Sequence, residues 1–228
     1  DTLRWRHGPR QPAAILNSAG WTTWDASRRM LWGHSGDDGG GNAFIGYSPD
    51  GDNGDGTFGR WGEHFPNKLP GFANHNAMQI EPVRDIIVVS VHARNELYAL
   101  DPADPGREIV RLNSAGARPV LQPYAAMEYA PNAGSLIYFS PLDRGVFYSI
   151  AAGDAHGSPD KCAGAWTWHA CAPAAGTLEP VGDAASRSRY PVSLAHTFGR
   201  FRIASFGAID LAILVRHVDS PVYALRLC

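Results

Sequence analysis

A two-strand unit recurs four times in this chain, over Arg29–Tyr47, Asp85–Leu100, Ser135–Ile150 and Leu211–Leu227. In each copy an apolar run ends at a short polar loop and a second run follows, centred on Phe44, Tyr98, Phe147 and Tyr223. The first three centres stand 54 and 49 residues apart, and the fourth follows after 76, the excess being an insertion. A period of about 50 residues means that one supersecondary unit stacks against copies of itself, since no single unit can bury its own apolar face. The repeat predicts an architecture and the face on which a site should lie. It names no substrate.

Each copy extends to four strands, a to d, cut apart by Gly, Pro and Asn clusters that read as antiparallel turns. The third copy is the clearest, with runs at Ala125–Ala130, Leu136–Ser140, Val146–Ile150 and Thr167–Ala172. The second gives Ala77–Glu81, Ile86–Val91, Glu96–Leu100 and Glu108–Leu112; the first gives Thr22–Ala26, Met30–Gly33, Ala43–Tyr47 and Phe58–Gly62. The fourth has Phe201–Phe206, Leu211–Arg216 and Val222–Leu227 and then lacks a strand d. Leu3–Gly8 resembles the strand d around Trp61 and supplies the missing piece. Four-stranded sheets repeated radially describe an all-β propeller of about four blades, the last closed by the N-terminal strand so that no sheet edge stays open. A β-sandwich of similar strand count would not predict the regular order with aromatic c strands. Residues 1–228 read as a single propeller domain, either a closed ring or a stretch of a larger one.

Composition narrows the classes of partner. Twenty Lys and Arg against 22 Asp and Glu argue against a nucleic-acid face built on general attraction. No apolar run approaches the roughly 18 residues of a membrane span, so membrane insertion is not expected. The chain begins at Asp1, which fits a mature product or an excerpt, and a secreted or periplasmic location is the expectation. Cys162 and Cys171 lie nine apart, a spacing that fits no zinc pattern. A local Cys162–Cys171 disulfide and two free thiols both remain open, the first implying an oxidising compartment.

The phrase from Trp21 through Trp24-Asp25 and Leu31-Trp32-Gly33-His34-Ser35-Gly36, then Gly41-Asn42-Ala43-Phe44 and later Trp61, resembles a blade of the kelch-type, galactose-oxidase-like β-propellers. The end, His196 to Arg202 followed by Val222–Leu227, resembles the final blade of the same group. The double glycine that follows strand b in strict kelch repeats is missing from copies two to four. The resemblance implies that strand a lies innermost and that the b–c and d–a loops open on one face around a central channel. Copper chemistry is not carried over: the chain has no Tyr-His pair, and fold analogy alone cannot support it.

That mapping concentrates polar side chains on one face. The b–c loops bring His34, Asp37, His92, Arg94, Arg144 and His217; the d–a loops add His75, Tyr124 and His196, and Arg200 opens the last strand a. His34, His92 and His217 hold near-equivalent positions in the repeat. Such a ring of imidazoles suits a metal, a polar pocket for sugar or peptide, or simply three self-contained hairpin loops. Arg200 and Arg202 could hold a carboxylate or pair structurally with Asp210 or Asp219. On the opposite face, the acidic c–d loop with Asp50, Asp52 and Asp55 has the oxygen-rich, Gly-rich make-up that calcium needs, but not the ligand spacing; a solvated turn is the alternative.

The copies differ most in that acidic loop and in the insertion Ala152–Trp166. No G-x-S-x-G, P-loop or H-E-x-x-H occurs. The sequence reading is therefore a binding module for carbohydrate or protein, acting through the b–c/d–a face with no required cofactor. The alternative is a carbohydrate-active lyase or hydrolase with a His/Tyr/Arg site at the channel, in which His196, Tyr124 and Arg200 would converge.

Overall fold

The computed structural model describes residues 8–9, 21–34, 44–55, 57–65, 69, 76–123, 125–140, 146–153, 160–171, 201–215 and 222–227. Sixteen strands among the described residues form four small sheets, one per sequence repeat, arranged as the blades of a four-bladed propeller. Blade 1 is β1 (Trp21–Asp25), β2 (Met30–His34), β3 (Phe44–Asp52) and β4 (Phe58–Phe65). Blade 2 is β5 (Ala77–Glu81), β6 (Ile86–Val91), β7 (Glu96–Leu100) and β8 (Val110–Arg111). Blade 3 holds β10 (Ala126–Ala130), β11 (Ser135–Phe139), β12 (Phe147–Ala152) and β13 (Ala165–Cys171), and blade 4 holds β14 (Phe201–Phe206), β15 (Ile209–Val215) and β16 (Val222–Arg226). Within each blade, consecutive strands pair antiparallel. The innermost strands pack in chain order, β1 on β5, β5 on β10 and β10 on β14. One strand breaks the repeat: β9 (Asn113–Gly116), on the connection from blade 2 to blade 3, adds itself parallel to the outer edge of β13.

The cores lie between blades rather than within them, and strand burial shows it. All six residues of β6, Ile-Ile-Val-Val-Ser-Val, are buried, as are all five of β11. Alternate side chains point to opposite faces of a strand, so an unbroken buried run means that both faces are covered. Ile87, Val89 and Val91 pack toward blade 1 with Trp32 and Phe44, while Ile86 and Val88 pack toward blade 3 with Leu136, Tyr138, Trp166 and Trp168. Ile137, Phe139 and Phe147 complete a third core with Phe201, Ala212 and Leu214 of blade 4. By contrast β15 alternates: Asp210, Ala212 and Leu214 are buried, and the residues between them are half-exposed.

The a–b turns share one device. Arg29, Asp85, Gly134 and Gly207 all take positive φ, between 50° and 59°, at the last or first turn position. In blades 1 and 2 a carboxylate at the end of strand a caps its own turn. Asp25 accepts from the Arg28 backbone at 3.0 Å, and Glu81 from Val83 and Arg84 at 3.0 and 2.8 Å. Blade 3 has Ala130 at that place. Its turn is capped instead by Asp210 of blade 4, which accepts from Asn132 N at 2.9 Å, Asn132 Nδ2 at 2.8 Å and Ala133 N at 3.1 Å.

A chain of charges binds the same end across three blades. Arg28 donates to Asp25 at 2.8 Å and to Asp85 of blade 2 at 2.6 Å. Lys161, from the blade 3 insertion, reaches Asp85 at 3.2 Å and Asp101 at 3.0 Å. Arg84 donates to the Ala163 and Gly153 carbonyls and lies 5.1 Å over the Trp166 ring. The predicted closing strand Leu3–Gly8 falls outside the described residues except for Gly8. Pro9 accepts a hydrogen bond from Trp61 Nε1 at 3.3 Å, which places Pro9 against β4, the edge strand of blade 1.

These arrangements set the cost of core and cap changes. Ile86→Ala should destabilise by about 2–5 kcal/mol, the range for deleting a fully enclosed branched side chain, while Leu211→Ala on the half-exposed face costs less than about 1.5 kcal/mol. Asp210→Ala, which strips three donors in another blade of their acceptor, should cost about 2–3 kcal/mol. Urea denaturation followed by tryptophan fluorescence orders the three; equal losses for Ile86→Ala and Leu211→Ala would contradict the blade-to-blade account.

Candidate functional site

The b–c and d–a segments of blade 2 and the entry to blade 3 come together at one end of the molecule. After β6 the chain turns through a short 3₁₀ segment, His92–Arg94, and then Asn95 takes the left-handed conformation at φ 55°. Asparagine tolerates that region better than most residues. The Asn95 side chain accepts from Leu121 N at 2.7 Å, and its carbonyl accepts from the Arg118 guanidinium. One residue thus ties the b–c turn of blade 2 to the connection leading into blade 3. Leu112 and Leu121, both buried in the blade 2–blade 3 core, anchor that connection from beneath, and Leu112 N donates to Leu97 O at 2.9 Å.

Between these fixed points lies a cleft of about 330 Å³ lined by Glu96, Arg111, Leu112, Asn113, Ser114 and Arg118. Five of its six lining residues carry polar or charged side chains. Arg111 Nη2 is 2.9 Å from Glu96 Oε1, and Tyr98 Oη donates to the other Glu96 oxygen. Both carboxylate oxygens are therefore engaged from within the protein. Burial first, and then the Glu96 carboxylate, push the Tyr98 phenol up to about 12, so it stays protonated near neutrality and is poorly suited as a base. The cleft wall formed by β9 depends on Gly116: φ is +95°, and a Cβ there would lie 2.4 Å from the Trp168 carbonyl oxygen.

Of the residues singled out from sequence, His92 and Arg94 belong to the turn that precedes Asn95 and Glu96, and neither lines the cleft. Arg94 is exposed. His92 is half-buried, and its backbone N–H and its Nδ1 both meet Asn76 Oδ1, at 3.2 and 3.0 Å. His34 is turned inward. As the last residue of β2 it shares a face with Trp32, is 2 % exposed, and stands edge-on to Phe44 with ring centroids 4.7 Å apart. Among the described residues neither ring nitrogen has a hydrogen-bond partner, and burial drives its pKa down to about 4. His34 and His92 are not equivalent in place: one belongs to a strand, the other to a turn. Asp37, His75, Tyr124, Arg144, His196, Arg200 and His217 lie outside the described residues.

The acidic stretch is mostly strand, since β3 runs on to Asp52. Asp50 forms a two-armed pair with Arg29 at 2.7 and 2.8 Å, and Asp55 accepts from Thr57 Oγ1 at 2.6 Å and Thr57 N at 2.9 Å. A cation would have to displace Arg29 to use Asp50; the Asp52 side chain is outside the described atoms. Among the described residues no three His, Cys, Asp or Glu side chains converge as metal ligands.

The Cys162–Cys171 disulfide is not formed; both thiols are free. Cys162 sits in the blade 2–blade 3 core and Cys171 against the blade 3–blade 4 core. β13 separates them: six strand steps from Ala165 to Cys171 span roughly 20 Å, and three residues of turn cannot return the Cα atoms to within the ~7 Å a disulfide needs. Burial, then Asp160 and Asp101, push the Cys162 thiol up to about 11.

No protein-family model matches the chain, and no curated protein does. Among solved structures, it is similar to the major Malassezia sympodialis allergen Mala s 1, at 11% identity and TM-score 0.46 over 85% of this chain and 48% of that one. A Lactobacillus plantarum protein from a structural genomics programme aligns at 10% identity and TM-score 0.41, over 90% of this chain and 54% of that one. The chain spans about half the length of these structures. The propeller assignment stands on the sheet order and the blade packing described above.

His34 makes stability depend on pH. Its folded pKa is about 4 against roughly 6.5 in the unfolded chain, so the unfolded state binds the proton first. Above pH ~6.5 the group has no effect; between pH ~6.5 and ~4 stability should fall by up to about 3 kcal/mol and then level off. Thermal melts at pH 7.5 and 5 compare wild type with His34→Phe. The variant should lose less on acidification, and an unchanged pH response would remove His34 as the cause.

Proposed function

We propose that this chain is a kelch-like binding module for a carbohydrate or protein ligand, engaged through the b–c/d–a end of the propeller. The observation that carries the reading is the cleft between blades 2 and 3. Its polar lining is drawn from three separate segments and held by the Asn95 tie and two buried leucine anchors. Sites that recognise ligands place a few polar groups on a rigid scaffold, commonly on loops. Carbohydrate fits this cleft better than protein, because its volume is at the small end of the ~300–1,000 Å³ range of small-molecule sites. The carbohydrate-active enzyme reading draws nothing from the cleft: the one carboxylate there is already paired, and its tyrosine neighbour holds its proton. His196, Tyr124 and Arg200, on which that reading depended, lie outside the described residues.

Binding to printed glycan and peptide arrays tests the module. Wild type should give a reproducible glycan signal, and Ser114→Trp, which fills the cleft, should weaken it at least tenfold while Val120→Trp on the neighbouring exposed loop leaves it unchanged. Full binding by a folded Ser114→Trp protein would remove the cleft from the account.

A further inference from the structure

Resting on the reading of this cleft as a binding site, we propose that its occupant is a sugar residue carrying a carboxylate, of the hexuronate class. The cleft has two guanidinium groups, Arg111 and Arg118, against one carboxylate, Glu96. Glu96 is already taken on both oxygens, by Tyr98 and by Arg111, so one positive charge is left over. That surplus is local, because the whole chain carries a formal net charge of −2; a diffuse polyanion finds no general attraction, whereas a single acid group placed in the cleft does.

The two arginines are also pre-oriented. Each has one edge fixed by the protein, Arg111 on Glu96 and Arg118 on the Asn95 carbonyl. The Arg111 side chain is otherwise 65 % exposed, and Arg118 is exposed. A guanidinium presents five N–H donors in a rigid fork that matches a carboxylate, so holding one edge leaves donors for a ligand at reduced entropic cost. Asn113 and Ser114 stand between them in the chain and line the same cleft. Amide and hydroxyl groups both donate and accept, which is what a row of sugar hydroxyls needs, and a simple carboxylate would leave them unused. Tyr98, Trp166 and Trp168, which stand opposite this segment in the neighbouring strands, are all buried, so recognition here runs through charge and hydrogen bonds rather than ring stacking.

Amide-resolved NMR titration of the full chain at low salt tests this with methyl β-glucuronide, methyl β-glucoside, acetate and a short oligogalacturonate. The glucuronide should shift the amides of Glu96, Leu112, Asn113, Ser114 and Arg118 saturably. The glucoside and acetate should each bind at least tenfold more weakly. Arg118→Gln, on an exposed connection, and Arg111→Gln should each raise the glucuronide Kd at least tenfold, and added salt should weaken binding; if Arg111→Gln fails to fold, Arg118→Gln decides. Tighter binding of the oligomer than of the monosaccharide identifies a polymer-borne residue as the natural source, and equal binding a free sugar acid. Equal binding of glucoside and glucuronide in the cleft would overturn acid recognition while leaving the cleft as a site. Equal binding of acetate would overturn the sugar. Absence of shifts at these five amides with every probe would overturn the proposal, and the independent array result with Ser114→Trp then shows whether the cleft itself survives.

Discussion

A sheet of four short strands has two apolar faces and no means of hiding both alone. In this protein each blade solves the problem by lying face to face with the next, and the consequence is visible in single strands. β6 and β11 are buried at every position because neighbours cover both sides, whereas β15 is buried only at alternate residues. Everything else inherits this constraint. The a strands must converge, the c strands must supply large side chains between blades, and Tyr138, Phe139, Phe147 and Phe201 fill gaps that a single sheet would not possess. Ring contacts such as Phe139 on Phe147 at 4.8 Å and on Phe201 at 5.7 Å join two blades through one aromatic group.

Apolar faces slide, and the a–b/c–d end carries the groups that stop them. The Arg28–Asp85–Lys161–Asp101 chain spans three blades, and Asp210 caps a turn that is not its own. Exposed ion pairs contribute about 0–1 kcal/mol each, so their value here is register rather than bulk stability. Asp210 differs. It is buried, and although burial alone would raise its pKa, the hydrogen bonds from Ser205, Asn132 and Ala133 outweigh this and hold it below the usual value. An unprotonated carboxylate is what the blade 3 turn requires, since a blade with Ala130 at the capping place has no acceptor of its own.

Strands a, b and c were legible in the sequence because each is an apolar run between Gly, Pro or Asn clusters, and their observed limits differ from the expected ones by a residue or two except in β3, which runs five residues past Tyr47 to Asp52. β9 was not: Asn113-Ser-Ala-Gly116 has neither β-branched nor aromatic residues, and only the neighbouring edge of β13 makes it a strand. The inward turn of His34 was readable from parity. Trp32 and His34 are two apart in one strand, so burying the first buries the second. Treating His34 as loop placed it on the surface instead. The sequence left a Cys162–Cys171 pair and two free thiols equally open, and the free thiols follow because the extended β13 between them carries them to different cores.

The cleft owes its existence to a departure from the repeat. Where the sequence copies agree, the residues do the same structural work in each blade, as the four left-handed turn positions do. The connection after β8 does something no other described connection does: it runs along the outside of the next blade, tied by Asn95 at one end and by Gly116 against Trp168 at the other. This detour brings Arg118 of the connection to Glu96 and Arg111 of blade 2. The opposite end is held by charges and caps, so the scaffold tolerates this irregularity without losing blade register. A propeller fixed at one end and varied at the other can change what it recognises by altering a single connection, and here that connection is the one carrying the unbalanced positive charge.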